Sequence, residues 1–182
     1  MRKLTVILTI VAVFAAFQSS ALSQNKYVGK KACVMCHSTE KSGKQAEIWA
    51  KSKHSQAYTT LTTDKAIEIA KSKGIANPAE APECLECHTL GKTVDPALFD
   101  TKFDIKDGVQ CETCHGPGSG YKSMPVMKDK AKAIAAGLTE YKDEAAIEAW
   151  CKTCHNEKSP SFKDFVFKER WELIKHPKPK SE

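Results

Sequence analysis

The chain carries Cys111-Glu112-Thr113-Cys114-His115, a Cys-x-x-Cys-His motif that decides its fold. The pattern occurs three more times and takes in all 8 cysteines, at Cys33-Val34-Met35-Cys36-His37, Cys84-Leu85-Glu86-Cys87-His88 and Cys151-Lys152-Thr153-Cys154-His155. Cys-x-x-Cys-His is the attachment site of c-type haem, in which both thiols bond to the porphyrin and the histidine binds the iron. The sequence therefore predicts four covalently bound haem c groups.

The spacing of each motif suits this chemistry. On a helical turn, residues i, i+3 and i+4 share one face, so both sulfurs and the imidazole can meet one flat macrocycle. Zinc sites and thioredoxin-like pairs also use this cysteine spacing, and an exported chain could form disulfides. A histidine follows every second cysteine, no cysteine is left over and no βαβ pattern surrounds any copy, which together favour haem.

The N-terminus has the order of a secretory signal peptide. Arg2 and Lys3 form a basic start, residues 4–17 are an apolar run, and small residues follow up to Ser23. The run is shorter than the about 20 residues of a spanning helix, and an uncleaved anchor is the alternative. We predict a signal peptide at 1–23, one tetrahaem cytochrome c domain at 24–182, a periplasmic location and no membrane span in the mature chain.

Charge and composition point to a haem-filled helical domain. The net charge is +6, and +4 once Arg2 and Lys3 are removed, but the lysines form no dense run and no nucleic-acid partner is expected. Four porphyrins can supply much of the apolar surface that a modestly apolar chain lacks. We therefore expect a mainly α fold, with helices and loops wrapped around the haems, little or no β-structure, and poor folding without them.

Apolar periodicity and capping residues predict the helices. Helices are expected at Lys44–Leu61, at Thr139–His155, from Thr62 or Thr63 to a stop at Gly74, and at Asp129–Ala136 with Gly137 as its stop. A last helix is expected after a capping box at Ser161 and Asp164. It carries Phe162, Phe165, Val166, Trp171 and Ile174. Residues 77–82, 91–108 and 116–120 are predicted to be turns and loops.

The histidines are too few to cap every iron. Four haems need His37, His88, His115 and His155 as proximal ligands, and the chain has 6 histidines. The remaining two, His54 and His176, are the predicted distal ligands, because iron favours imidazole. At most two haems can therefore have two histidines from within one chain.

The other two irons use a different sixth ligand or keep an open position. Methionine is the next candidate, since Met/His ligation occurs in cytochromes c. Met124 and Met127 follow the third motif, and Tyr121 lies near them, so one of these three side chains, or none, could cap another haem.

The chain resembles the tetrahaem cytochrome c-554 family over nearly its whole mature length. The resemblance rests on Tyr27-Val28-Gly29, Trp49-x-x-Ser52-x-His54-x-x-Ala57-Tyr58, Cys84-Leu85-Glu86-Cys87-His88, Gly108-Val109-Gln110-Cys111-Glu112-x-x-Cys114-His115-Gly116-Pro117-Gly118, Cys151-x-x-Cys154-His155-Asn156, Ser161-Phe162-Lys163 and Ile174-Lys175-His176-Pro177.

The resemblance implies a mostly helical fold with closely packed haem pairs. It implies that His54 serves the third-motif haem of His115, and that His176 serves the fourth-motif haem of His155. It also implies that the second-motif haem is five-coordinate. A further histidine of the family caps the first-motif haem, but no histidine lies between His115 and His155 in this chain.

These observations favour an electron carrier that docks redox partners through a small interface. The alternative is a haem enzyme or sensor that acts on nitric oxide, another small nitrogen oxide or peroxide at a five-coordinate iron. No separate acid–base group accompanies the second motif, where the flanking Glu83 and Glu86 are typical of solvated positions. An electron carrier is therefore the main prediction, and the oligomeric state stays open.

Overall fold

The computed structural model describes residues 24–90 and 94–178, which form short helices joined by loops. The predicted signal peptide at 1–23 lies outside these ranges. In chain order the helices are α1 Lys30–His37, α2 Gln45–Lys51, α3 Ala57–Thr60, α4 Asp64–Ser72, α5 Pro82–His88, α6 Cys111–His115, α7 Met124–Met127, α8 Lys130–Ala135, α9 Glu144–Cys151 and α10 Phe167–Glu172, with 3-10 turns at Lys53–Gln56, Pro96–Leu98 and Ile105–Asp107.

The mainly α fold class is confirmed. Within the described ranges the extended pairing is limited to one isolated parallel bridge between Tyr27 and Phe99. The bridge ties the N-terminal segment to the loop before the third motif, with Tyr27 N donating to Leu98 O and Asp100 N to Tyr27 O, both at 2.8 Å. No helix in the described part has the length and apolar character needed to cross a bilayer.

Two helices form where their capping residues predicted them. The Thr63 side chain accepts a hydrogen bond from Ala66 N at the start of α4, and Gly74 follows the end of that helix. Asp129 caps α8 by accepting from Lys132 N, and Gly137 follows it. A side-chain oxygen that satisfies an otherwise unpaired backbone N–H fixes where a helix begins.

The prediction of a single helix over Lys44–Leu61 is wrong, because the helix is interrupted at Ser52. This residue is extended, with φ −81° and ψ 162°, and separates α2 from the 3-10 turn that carries His54. The Ser52 hydroxyl donates to Trp49 O at 2.7 Å. Serine competes in this way for backbone groups that would otherwise continue the helix.

The helix predicted over Thr139–His155 is also wrong at both ends. Residues 139–143 are held instead by the third motif, because Thr139 N donates to His115 O at 2.9 Å and the Tyr141 hydroxyl donates to Cys114 O at 3.0 Å. Asp143 then caps α9 by accepting from Ala146 N, and α9 ends at Cys151.

The predicted capping box at Ser161 and Asp164 does not form. α10 begins at Phe167 with Val166 at its N-cap, and Asp164 accepts from the neighbouring Phe165 N at 2.8 Å. Phe165 stacks on the His155 ring with centroids 4.7 Å apart. This contact holds the segment before α10 against the fourth motif in a non-helical conformation.

The buried apolar core of the described residues is small. It consists of Val28, Leu61, Ala70, Ala81, Leu90, Tyr121, Ala133 and Phe167, while Trp150 and Leu173 are exposed. A domain of about 150 residues usually buries about 68–70% of its unfolded surface. The small number of buried apolar side chains agrees with the expectation that haem supplies part of the buried apolar surface.

Candidate haem-binding centre

The first three motifs lie at the ends of short helices. α1, α5 and α6 each terminate at the motif histidine, so the two thiols and the imidazole share one helical turn as the spacing predicts. The fourth motif begins at the last residue of α9 and continues as a turn, in which His155 N still donates to Cys151 O at 2.9 Å. No disulfide joins any of the eight cysteines.

Four of the six histidines form two facing pairs. The ring centroids of His54 and His155 are 6.1 Å apart with 44° between the ring planes, and those of His115 and His176 are 5.9 Å apart with 42° between the planes. Two imidazoles on opposite sides of a metal, each with a bond of about 2 Å and about 1 Å more to the ring centre, have centroids roughly 6 Å apart. Both pairs therefore have the separation of axial ligands sharing one iron.

Each distal histidine faces the motif histidine that the family resemblance assigns to the other one. His54 was expected beside third-motif His115 but faces fourth-motif His155, and His176 faces His115 instead of His155. The backbone of His54 is fixed by Val109 N, which donates to His54 O at 3.0 Å. This bond holds the 3-10 turn that carries His54 against the residues just before the third motif.

The paired histidines are in the protonation state that metal ligation requires. Burial lowers the pKa of His115 to about 4, with the neighbouring His176 and His37 adding to the effect. Burial is also the largest cause of the lowered pKa of His54, His155 and His176. A neutral imidazole has a free lone pair for a metal, so iron binding here requires little proton release.

The two remaining motif histidines are oriented by hydrogen bonds at Nδ1. His88 Nδ1 lies 2.7 Å from the carbonyl oxygen of Ala57, and His37 Nδ1 lies 2.9 Å from Gln45 Oε1. Because a carbonyl oxygen only accepts, His88 carries its proton on Nδ1 and leaves Nε2 free. Ligating histidines usually donate their other N–H in this way. Among the described residues, neither ring faces another imidazole.

Thiols of different motifs approach one another. The Cys33 thiol of the first motif lies close enough to the Cys111 thiol of the third for each to shift the pKa of the other. The Sγ of Cys154 in the fourth motif lies 4.0 Å from the carbonyl oxygen of Glu86 in the second. Cys114 and Cys151 are also close enough to interact electrostatically. The fold therefore brings the first motif to the third and the second to the fourth.

A buried carboxylate within the third motif was not predicted to have a structural role. Glu112 is 2% exposed and accepts backbone hydrogen bonds from Val28 N at 2.9 Å, Gly29 N at 2.7 Å and Gly118 N at 2.6 Å. It therefore joins α6 to the N-terminal segment and to the loop that follows the motif. Its sequence position between two cysteines resembles that of Glu86, so local sequence gives no signal for this role.

The neighbouring Gln110 makes a second buried link. Its Oε1 accepts from Lys30 N at 2.8 Å, and its Nε2 donates to Asp104 O at 2.8 Å. The Lys30 ammonium group in turn lies 2.7 Å from Asp107 and 5.0 Å from the centre of the Trp49 ring. These contacts fix the start of α1 relative to α6, and so the first motif relative to the third.

The candidate sixth ligands of the first-motif haem differ in their surroundings. The Tyr121 hydroxyl is buried and donates to the carbonyl oxygens of His115 and Gly116, at 3.1 Å and 2.7 Å. It is therefore already engaged by the third motif. Met124 is exposed and Met127 half-buried, both on α7, and no described contact brings either to the first motif.

An open cleft adjoins the fourth motif. It has a volume of about 580 Å³, and its lining includes His155, Phe162, Phe165, Lys152 and Lys158.

The donor set fits haem c better than a bare metal ion. A structural zinc site gathers four ligands, whereas no group of three or more histidine, cysteine or acidic side chains suited to a metal occurs in the described part. Paired neutral imidazoles, thiols on the same turns and a small side-chain core are what several porphyrins require.

Comparison with known proteins agrees with this chemistry. The family described as Cytochrome c554 and c-prime matches residues 18–116, which is more than half of the chain and includes the first three motifs. The chain belongs to the cytochrome c554 family. Cytochrome c-554 of Nitrosomonas europaea is 27% identical over 160 residues, covering 81% of this chain and 66% of that protein. No solved structure matches the chain.

Membership of the cytochrome c554 family confirms the resemblance stated from the motifs. It makes the chain a c-type cytochrome, with covalently bound haem c, iron and a function consistent with electron transfer. The fourth motif begins at Cys151, beyond the matched residues.

Proposed function

We propose that this chain is a tetrahaem c-type cytochrome that transfers electrons between redox proteins in the periplasm. The proposal rests on the two facing pairs of imidazoles, His54 with His155 and His115 with His176. Their ring centroids are 6.1 Å and 5.9 Å apart, and each pair joins a motif histidine to a histidine outside the motifs. If His54 and His176 served only to pack the core, nothing would require each to lie about 6 Å from the histidine of a different motif.

Each residue has a defined role in the proposal. The haems are attached at Cys33 and Cys36, Cys84 and Cys87, Cys111 and Cys114, and Cys151 and Cys154, with proximal ligands His37, His88, His115 and His155 and distal ligands His54 and His176. When bound, haem c supplies a one-electron iron couple whose potential depends on axial ligands, hydrogen bonds and burial. The chain contributes the orientation of these ligands and a short spacing between motifs.

The contacts between thiols of different motifs support rapid transfer within the chain. The close approach of Cys33 to Cys111, and of the Cys154 sulfur to the carbonyl oxygen of Glu86 at 4.0 Å, supports a pairing of the first motif with the third and of the second with the fourth. Cys114 and Cys151 link the third motif to the fourth. In the proposed function, an electron that enters at one motif reaches the others through this connected cluster, and redox partners dock through small interfaces.

The proposal includes export. A signal peptide at 1–23 would deliver the domain at 24–182 to the periplasm, outside the cytoplasm, where its cysteines meet haem. The basic start, apolar run and small residues of the first 23 positions support this step.

The intact mass of the protein purified from a periplasmic fraction tests the proposal. We expect residues 24–182 plus four haem increments. A double Cys151→Ala/Cys154→Ala variant should lose one increment, which tests the motif outside the family match. Three increments in the wild type, or no loss in the variant, would contradict the tetrahaem assignment.

Ligand binding at an open iron is the second candidate function. It is favoured by the observation that His37 and His88 face no other imidazole among the described residues. Titration of the reduced protein with carbon monoxide or nitric oxide should then give binding to at most two haems. Steady turnover of a small nitrogen oxide would favour an enzyme, whereas binding without turnover would favour the electron carrier.

A further inference from the structure

Gln45 lies between two histidines of different haem sites. It is the first residue of α2, and its side chain is buried, with 8% exposed. Its Oε1 lies 2.9 Å from His37 Nδ1, and its Nε2 lies 3.0 Å from the carbonyl oxygen of Pro177. One amide group thus contacts the first-motif histidine and the residue that follows His176.

These two contacts fix the orientation of the amide and the tautomer of the imidazole. The Pro177 carbonyl oxygen only accepts, so the amide nitrogen of Gln45 must face it. The amide oxygen then faces His37 and can only accept, so His37 carries its proton on Nδ1. The lone pair of His37 is therefore on Nε2, where a metal binds.

Gly43 also lies close to Pro177. Gly43 has a φ of +92°, and a Cβ built there would lie 2.8 Å from Pro177 Cγ and 3.1 Å from Pro177 O. The glycine therefore allows a close approach that other residues would prevent. Gly43 leaves room for Pro177 while Gln45 holds it by a hydrogen bond, which fixes the backbone beside His176. The ring centroid of His176 is 5.9 Å from that of His115.

We propose that Gln45 is a positioning residue that orients His37 of the first motif and, through Pro177, the distal histidine His176 of the third-motif haem. The inference rests on the tetrahaem function proposed above and adds a link between two of its sites. His88 makes the equivalent Nδ1 hydrogen bond to a backbone carbonyl. At His37 this role falls to a side chain, so a substitution can change its strength.

Two variants of similar size separate orientation from simple packing. In Gln45→Glu, the carboxylate accepts more strongly from His37 Nδ1, which makes the imidazole more basic and favours ferric iron. In Gln45→Met, the acceptor is lost and ferrous iron is favoured. Outer-shell changes typically cost 10–100-fold in metal affinity or activity. We expect a change of about tenfold in the ferric-to-ferrous preference, which corresponds to about 59 mV for one electron.

The test is a potentiometric titration of wild type and both variants, after intact mass has established four haems in each. We expect one midpoint potential to fall by about 59 mV in Gln45→Glu and to rise in Gln45→Met. Both variants lose the hydrogen bond to Pro177, so one low-spin resonance should shift in both. Gln56→Glu adds the same charge at an exposed position near His54 and is the matched control.

The outcomes distinguish the inference from the proposed function. A wild type without four haems would contradict the proposed function. Four-haem variants whose potentials do not move, or move in the same direction, would overturn the role of Gln45. An equal shift in Gln56→Glu would also overturn it, because added charge alone would then explain the result. If one variant does not assemble, the sign of the shift in the other still decides.

Discussion

Replacing Glu112 with alanine should lower the unfolding temperature of the haem-loaded protein by about 10 °C. The carboxylate accepts from three backbone N–H groups, of Val28, Gly29 and Gly118, at 2.6 to 2.9 Å, and all three residues are buried. Alanine leaves these donors without a partner. Each unsatisfied buried donor costs about 1–3 kcal/mol.

The expected loss of stability is limited because water can satisfy some of the unpaired N–H groups. Solvent entering the space left by Glu112 would satisfy some of the donors, so we expect a total cost of about 3–5 kcal/mol rather than the sum of three full penalties. A protein of 150–250 residues loses about 2–4 °C per kcal/mol, which gives a range of about 6–20 °C. The haems themselves stay attached, because the thioether bonds are covalent.

Thermal unfolding followed by haem absorbance and by circular dichroism measures this loss. Coincident transitions would justify a two-state treatment. Glu68→Ala is the matched control, because Glu68 is exposed on α4 and alanine favours helix; it should change the unfolding temperature by no more than about 2 °C. A similar small change in Glu112→Ala would refute the reasoning that Glu112 holds the segments around the third motif.

The pH dependence of the same site has a definite sign. Burial raises the pKa of Glu112 from 4.5, and the three backbone donors, which lower it, offset only part of that rise. The folded state therefore binds this proton more tightly than the unfolded state. The resulting stability is fully present below about pH 4.5 and is lost as pH rises through the raised pKa. Glu112→Gln cannot titrate, so the stability advantage of wild type over it should shrink as the pH rises above about 4.5. A difference that stays constant as the pH rises would contradict this assignment.

Three further predictions concern the paired histidines. His54→Ala should convert one low-spin haem to high-spin, and His176→Ala a different one, as measured by electron paramagnetic resonance; loss of the same signal in both would contradict the pairing. Gly108→Ala should disturb the signal that depends on His54, because Gly108 has a φ of +75° and its Cβ would lie 2.6 Å from His54 O. An unchanged spectrum in a correctly assembled Gly108→Ala protein would show that this close approach does not position His54. The signal lost in His54→Ala should belong to the haem of His155 rather than that of His115.

The sequence predicted those parts of the molecule that depend on neighbouring residues. The four motifs, the turn geometry of the first three, the caps of α4 and α8 and the mainly α fold all follow from residues within a few positions of one another. The count of six histidines limits the number of paired irons without any structure.

Contacts between distant segments account for the features that were not predicted. The break at Ser52 and the loss of helix over residues 139–143 follow from hydrogen bonds that local periodicity does not reveal. Glu112 contacts Val28 and Gly29, which are 84 and 83 positions away along the chain. Gln45 contacts Pro177, which is 132 positions away. The exchange of partners between His54 and His176 likewise depends on which segments meet in space, which a family resemblance of single residues does not specify.

Quantitative electron paramagnetic resonance of the oxidised, haem-loaded protein tests the central claim most directly. Six histidines and two facing pairs predict that two haems per chain have the low-spin signature of two imidazole ligands, and that the haems of His37 and His88 lack it. Four haems that all give the two-imidazole signature in the monomer would contradict the account.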